Sequence, residues 1–120
     1  MILVVDDEKG IREVLVEYLN LLGYEADAVE NGKEALSVFD ENKYHMIITD
    51  NNMPGMSGSE LIKSIRRNCP FFPVIGLTGG NTEGLIEAGA TRCFNKPCDL
   101  NELREVIEEL LSLAPSESLP

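Results

Sequence analysis

Four short stretches hold side chains that could do chemistry together: Asp6-Asp7-Glu8, Asp50 with Asn51-Asn52 behind it, Thr78-Gly79-Gly80, and Lys96-Pro97. Two carboxylates ~4 Å apart repel by about 4 kcal/mol at an effective dielectric of ~20, so carboxylates sharing a site need a cation or shifted pKa values. No His or Cys stands within these stretches. An all-oxygen set suits a hard divalent ion, Mg²⁺ first and Mn²⁺ behind it. Mg²⁺ keeps open positions that can hold phosphate oxygens. Lys96 would add a point charge to the same phosphate and Thr78 a hydroxyl donor. A carboxylate held beside Mg²⁺ and a lysine can accept a phosphoryl group, because positioning and charge neutralisation dominate that transfer.

For this to happen the chain must bring the stretches together, and its hydropathy pattern does. Ile2–Val5, Met46–Thr49 and Pro73–Leu77 are nearly continuous apolar runs, as in strands covered on both faces. Tyr24–Ala28 alternates and Thr91–Asn95 is mixed, which marks two edge strands. Between the strands lie helical stripes. The first is Ile11, Val14, Leu15, Tyr18, Leu19 and Leu22, and the second is Ala35, Leu36 and Phe39 after Asn31-Gly32. Leu61, Ile62 and Ile65 follow a cap at Ser57, and Leu100, Leu103, Val106, Ile107, Leu110 and Leu111 follow Asp99. Thr82–Ala88 supplies barely two turns for the fourth helix.

The fold class is therefore α/β: a doubly wound, five-stranded parallel sheet of order 2-1-3-4-5, flavodoxin-like, with a short or irregular fourth helix. Ligands of such sheets bind at the carboxyl ends of the strands, near the switch point between the first and third. Asp6, Asp7, Asp50, Thr78 and Lys96 all follow strands, so one rim collects them.

Composition narrows the function. With 21 Asp+Glu against 10 Lys+Arg in 120 residues, the net charge is −11, and phosphate-rich partners such as nucleic acid or an anionic membrane would be repelled. Cys69, Cys93 and Cys98 form no C-x-x-C pair, which predicts reduced thiols rather than a disulfide framework or a zinc site. There is no apolar run of the ~20 residues a membrane span needs. A cytoplasmic protein is expected, with one domain over residues 1–113 and a tail or linker start over 114–120.

Leu-Val-Val-Asp-Asp-Glu (3–8), Asp-x-x-Met-Pro-Gly-Met-Ser-Gly (50–58), Gly-Leu-Thr-Gly (76–79), and Glu-Ala-Gly-Ala (87–90) leading to Asn-Lys-Pro (95–97) occur in this order. On these pieces the chain resembles the receiver domain of bacterial two-component response regulators, of the chemotaxis-regulator type, over residues 2–113. The resemblance implies that Asp50 is the phosphoacceptor. It implies that Asp7 binds Mg²⁺ directly, Asp6 through water, and that the backbone carbonyl of Asn52 completes a metal site shared with Asp50. Thr78 and Lys96 would bind the phosphoryl oxygens, and a cis Lys96–Pro97 bond would aim the lysine inward. A histidine kinase or phosphotransfer protein would supply the phosphoryl group, small acyl phosphates serving as well. The only catalysis expected is of the domain's own phosphorylation and dephosphorylation. A downstream protein or a fused effector domain would read the switched surface, while homodimerisation is left open.

Two departures from the family stand out. Cys93 occupies the position, three before the lysine, where the family usually carries Tyr or Phe, and Phe94 should face the other way because strand side chains alternate. The interval from Thr78 to Lys96 is also about one helical turn (~3.6 residues) short of the family's usual length. The fourth helix is thus expected to be short, mobile or irregular, with output shifted toward the fifth or first helix. His45 is expected at the end of the sheet remote from the site, Cys98 near the rim, and Met53 and Met56 in loop packing. Glu102, Glu105, Glu108 and Glu109 are expected on the solvated side of the last helix.

Other functions fit less well. A flavin or nucleotide carrier needs a Gly/Ser/Thr-rich phosphate loop after the first strand, where Asp6-Asp7-Glu8 would repel it. A Mg²⁺-dependent aspartyl phosphatase often has an acid/base carboxylate two residues after its nucleophile, and Asn52 stands there. A degenerate receiver that binds partners without phosphate is the alternative that Cys93 and the short helix keep open.

Overall fold

The computed structural model describes residues 1–112; the expected tail over 114–120 lies outside them. In chain order the elements are β1 Ile2–Val5, α1 Lys9–Leu21, β2 Ala26–Val29, α2 Gly32–Val38, β3 Met46–Asp50, α3 Gly58–Asn68, β4 Val74–Thr78, α4 Glu83–Ala88, β5 Arg92–Asn95 and α5 Leu100–Ser112. The strands form one parallel sheet of order β2-β1-β3-β4-β5, as the sequence predicts. The three central strands are buried along their whole length, whereas β2 and β5 are the half-exposed edges.

Alternation along the strands builds two apolar layers. Leu3, Val5, Ile47 and Val74 face Ala35 of α2, Leu61, Ile62 and Ile65 of α3, and Leu85 and Ala88 of α4. Ile2, Val4, Met46, Ile48, Ile75 and Leu77 face Leu15 and Leu19 of α1 and Leu103, Ile107 and Leu110 of α5. Each Leu, Ile, Val or Met side chain among them, fully buried, contributes roughly 1.5–3 kcal/mol, and the alanines less. Cys93 packs into the first layer and Phe94 into the second, so the two do face opposite ways. One residue of the α1 stripe departs from expectation. Val14 is 55% exposed, because the sheet and α5 cover only the strip through Leu15 and Leu19 and the 3.6-residue repeat carries Val14 past its margin.

Caps fix where helices begin. Asn31 accepts from the Glu34 amide, Ser57 and Glu60 form a reciprocal capping box, and Asp99 accepts from the Asn101 and Glu102 amides. The short fourth helix is real: α4 has six residues and ends at Gly89, whose φ of 110° is left-handed. It lies close on β4, because a Cβ at Gly76 would come within 2.7 Å of Leu85 Cδ1. Arg66 ties the far end of this layer. Its Nε donates to Gly89 O at 2.9 Å, and its Nη1 donates to Cys69 O at 3.0 Å and Phe72 O at 2.6 Å. On the other layer the Tyr18 hydroxyl donates to Leu100 O at 2.9 Å, joining α1 to the start of α5.

Candidate functional site

Register brings the rim together. Val5 pairs with Thr49, which sets Asp6 level with Asp50, and Thr78 pairs with Asn95, which sets Lys96 one step beyond. The Lys96 amide donates to Thr78 O at 2.8 Å, and the Lys96–Pro97 bond is cis. Lys96 Nζ lies 2.8 Å from Asp6 Oδ2 and 3.4 Å from Asp50 Oδ1. One ammonium thus bridges two carboxylates from different strands.

Both carboxylates are buried, Asp6 at 1% exposure and Asp50 at 5%. Burial pushes the Asp50 carboxyl above its usual range; the Lys96 charge opposes this and the Asp6 charge adds to it. Burial by itself would lower the Lys96 pKa, but the hydrogen bond and charge of Asp6, joined by the charge of Asp50, carry it upward. Asp50 Oδ1 also accepts from the Asn51 amide at 2.9 Å. The backbone behind it is tightly folded: Asn51 O accepts from the Gly58 amide at 3.0 Å and Asn51 Oδ1 from the Ser59 amide at 3.0 Å. This leaves no room for a larger residue at position 58.

Asp6, Asp7 and Glu8 each offer a carboxylate oxygen, and the three oxygens lie within 4.8 Å of one another. The donors are hard oxygens and carry negative charge, with Asp7 and Glu8 exposed, so the residues present fit a hydrated divalent cation such as Mg²⁺. Glu8 is the member of this group to which sequence reasoning gave no role. Its signal was its place in the acidic triplet, where its amide donates to Asp6 Oδ1 at 2.9 Å. Arg12 was missed as well: Nη1 donates to Asp6 O at 2.8 Å and holds the triplet's backbone from one turn into α1.

Asn52 is exposed in the turn after β3, and Thr78 is buried at the end of β4 with Oγ1 accepting from the Gly80 amide at 3.1 Å. Other expectations fall where the sequence put them. His45 is exposed just before β3, remote from the rim, and Met53 is buried in the α2–α4 layer with Met56 packed against it. Glu102, Glu105, Glu108 and Glu109 are exposed on α5. All three cysteines are free, and burial pushes the Cys98 and Cys93 thiols above the usual range, which makes them poor nucleophiles. Among the described residues no helix is long and apolar enough to cross a membrane.

Comparison with known proteins identifies the family of the chain. The profile of the response regulator receiver domain matches residues 2–108. Sporulation initiation phosphotransferase F of Bacillus subtilis is 34% identical over 116 residues, covering 93% of this chain and 94% of that protein. Sensor histidine kinase RcsC of Salmonella typhi is 34% identical over 111 residues, 89% of this chain but only 12% of the kinase's length. Among solved structures, response regulator TrrA of Thermotoga maritima, in complex with Mg²⁺ and BeF, superposes with a TM-score of 0.83 at 40% identity, covering 91% of this chain and 96% of that one. A CheY-like receiver domain protein from Methanospirillum hungatei gives a TM-score of 0.88 at 28% identity over 98% of this chain and 97% of its own.

Proposed function

We propose, given that the chain belongs to the response regulator receiver domain family, that it is a phosphoacceptor switch in a two-component phosphorelay, with Asp50 as the acceptor. The observation that carries this reading is the position of Lys96, whose ammonium sits between the buried carboxylates of Asp6 and Asp50. Burial raises the energy of the Asp50 anion, and Lys96 keeps it available as a nucleophile.

A phosphohistidine on a partner kinase or phosphotransfer protein is the donor. An Asp50 carboxylate oxygen forms the new P–O bond while the P–N bond breaks, its electron pair leaving with the imidazole nitrogen. With an acyl phosphate as donor, the leaving group is the carboxylate. Lys96 and Thr78 bind the phosphoryl oxygens, the first by charge and the second by its hydroxyl. Mg²⁺ or Mn²⁺, held by Asp6, Asp7, Asp50 and the backbone carbonyl of Asn52, would neutralise part of the carboxylate charge and polarise the phosphoryl oxygens. Asn52 brings no acid/base group, so the reaction favours a lasting acyl phosphate over turnover of free substrates. The switched surface is read by a downstream protein or a linked effector domain. The receiver is assigned to residues 1–113 and a tail or linker start to 114–120, and the cytoplasm is its compartment.

The test is intact mass after incubation with acetyl phosphate and Mg²⁺, with Asp50→Asn alongside. A phosphoryl adduct on the wild type alone, lost without Mg²⁺, is the expected result. No adduct, and no binding of beryllofluoride, would instead favour a phosphate-independent binding module.

A further inference from the structure

Thr78 is joined to the neighbouring strand by a path that skips its own backbone. Its Oγ1 accepts from the Gly80 amide at 3.1 Å, and Gly80 O accepts from Asn95 Nδ2 at 2.8 Å. Asn95 is the last residue of β5 and pairs with Thr78 in the sheet, so the side chain reaches around the strand end to the loop. These two bonds hold Gly80 to the sheet, since the next anchor, Asn81 Oδ1 accepting from the Glu83 amide at 2.7 Å, serves the start of α4.

A hydroxyl has one proton to donate and lone pairs to accept with. The Gly80 N–H occupies a lone pair of Thr78 Oγ1, which turns the hydroxyl proton away from the loop. Thr78 is 1% exposed, and among the described residues no acceptor takes that proton. A buried hydroxyl with a free proton at an anion-binding rim is a donor held ready. The loop that sets its direction is weak in itself. Gly79 and Gly80 lack side chains to restrict them, and the fixed point is Asn95.

We propose that Asn95 is a positioning residue: by holding the Gly80 carbonyl it keeps the Gly80 amide on Thr78 and aims the Thr78 hydroxyl proton at the phosphoryl oxygens. This rests on the phosphoacceptor reading above. Asn95 does not touch the phosphoryl group and acts only through Gly80 and Thr78.

Beryllofluoride with saturating Mg²⁺ is the probe, titrated on the full 120-residue chain and read by the ¹⁹F resonances of the bound form. Asn95→Ala should weaken apparent binding roughly threefold to tenfold, the scale of one net hydrogen bond. Asn95→Gln, which keeps the amide donor, should recover most of the loss. In a Thr78→Ala background Asn95→Ala should change nothing, because its route of action has been removed. Equal binding by the wild type and Asn95→Ala would overturn the positioning role. So would a loss of the same size with and without Thr78, which marks a general structural effect. A wild type that binds no beryllofluoride would overturn the phosphoacceptor reading itself, and the role of Asn95 with it. Urea midpoints for each variant separate weakened binding from loss of fold.

Discussion

The α-carbon of Gly58 faces the carbonyl oxygen of Asp50 so closely that a Cβ there would stand 2.2 Å from it. The obstacle is backbone rather than a flexible side chain, so Gly58→Ala must displace either the start of α3 or the end of β3. A cost of about 3 kcal/mol or more is expected from urea unfolding. Phosphoryl uptake from acetyl phosphate should fall as well, because Asn51 and Asp50 share the strand end that moves.

Asp50→Asn should stabilise the chain at neutral pH. The Asp50 carboxyl is raised by burial, so the folded chain binds its proton more tightly than the unfolded chain does. For such a group stability is fullest below the ordinary carboxylate range and is lost as pH rises through the folded value. The advantage of Asn should therefore shrink as pH falls toward 4 and below. Thermal unfolding of both chains across that window checks the sign. A constant difference would contradict it.

Lys96→Ala leaves the buried carboxylates of Asp6 and Asp50 without their shared cation. Loss of ~2–4 kcal/mol is expected. Adding Asp50→Asn should return part of it by removing one of the two charges, which makes the pair of substitutions non-additive. A strictly additive double variant would mean that the two groups do not share Lys96 in solution.

Mg²⁺ should stabilise the folded chain, since the proposed site draws Asp6 and Asp7 from the end of β1 and Asp50 and Asn52 from the end of β3, which meet only in the folded sheet. At a free concentration ~100 times its Kd the gain is about 2.7 kcal/mol, and chelation should reverse it. Asp7→Asn should remove most of the response while leaving metal-free stability nearly unchanged, because Asp7 is exposed.

Hydrogen exchange should rank α4 below α3. α3 has eleven residues and a complete capping box, whereas α4 has six residues and no side-chain cap from Thr82. Amides of α4 are expected to exchange at least about tenfold faster than those of Leu61–Ile65, a difference of ~1.4 kcal/mol in opening. Equal protection would remove the case for a mobile fourth helix.

Much of this molecule is legible in its sequence because period and burial coincide. Continuous apolar runs at Ile2–Val5 and Met46–Thr49 are too short for buried helices and read as strands covered twice, and the residues after them fall on one rim. Asp6, Asp50, Thr78 and Lys96 follow from topology alone. Val14 does not, because periodicity reports which side of a helix is apolar and not how wide a strip its neighbours cover. The contacts of Arg66 and Asn95 are hidden in the sequence for a different reason. Each acts by donating to backbone carbonyls, and a carbonyl leaves no mark in the residue types of the segment that supplies it.

Arg66 fastens the turns after α3 and α4 to one another at the end of the sheet opposite the acidic rim. The Phe71 ring projects from the clasped turn, 91% exposed. It is therefore an accessible mounting point on a braced turn, at the opposite end of the sheet from Asp50: a dye or surface tether introduced there would leave the acidic rim uncovered.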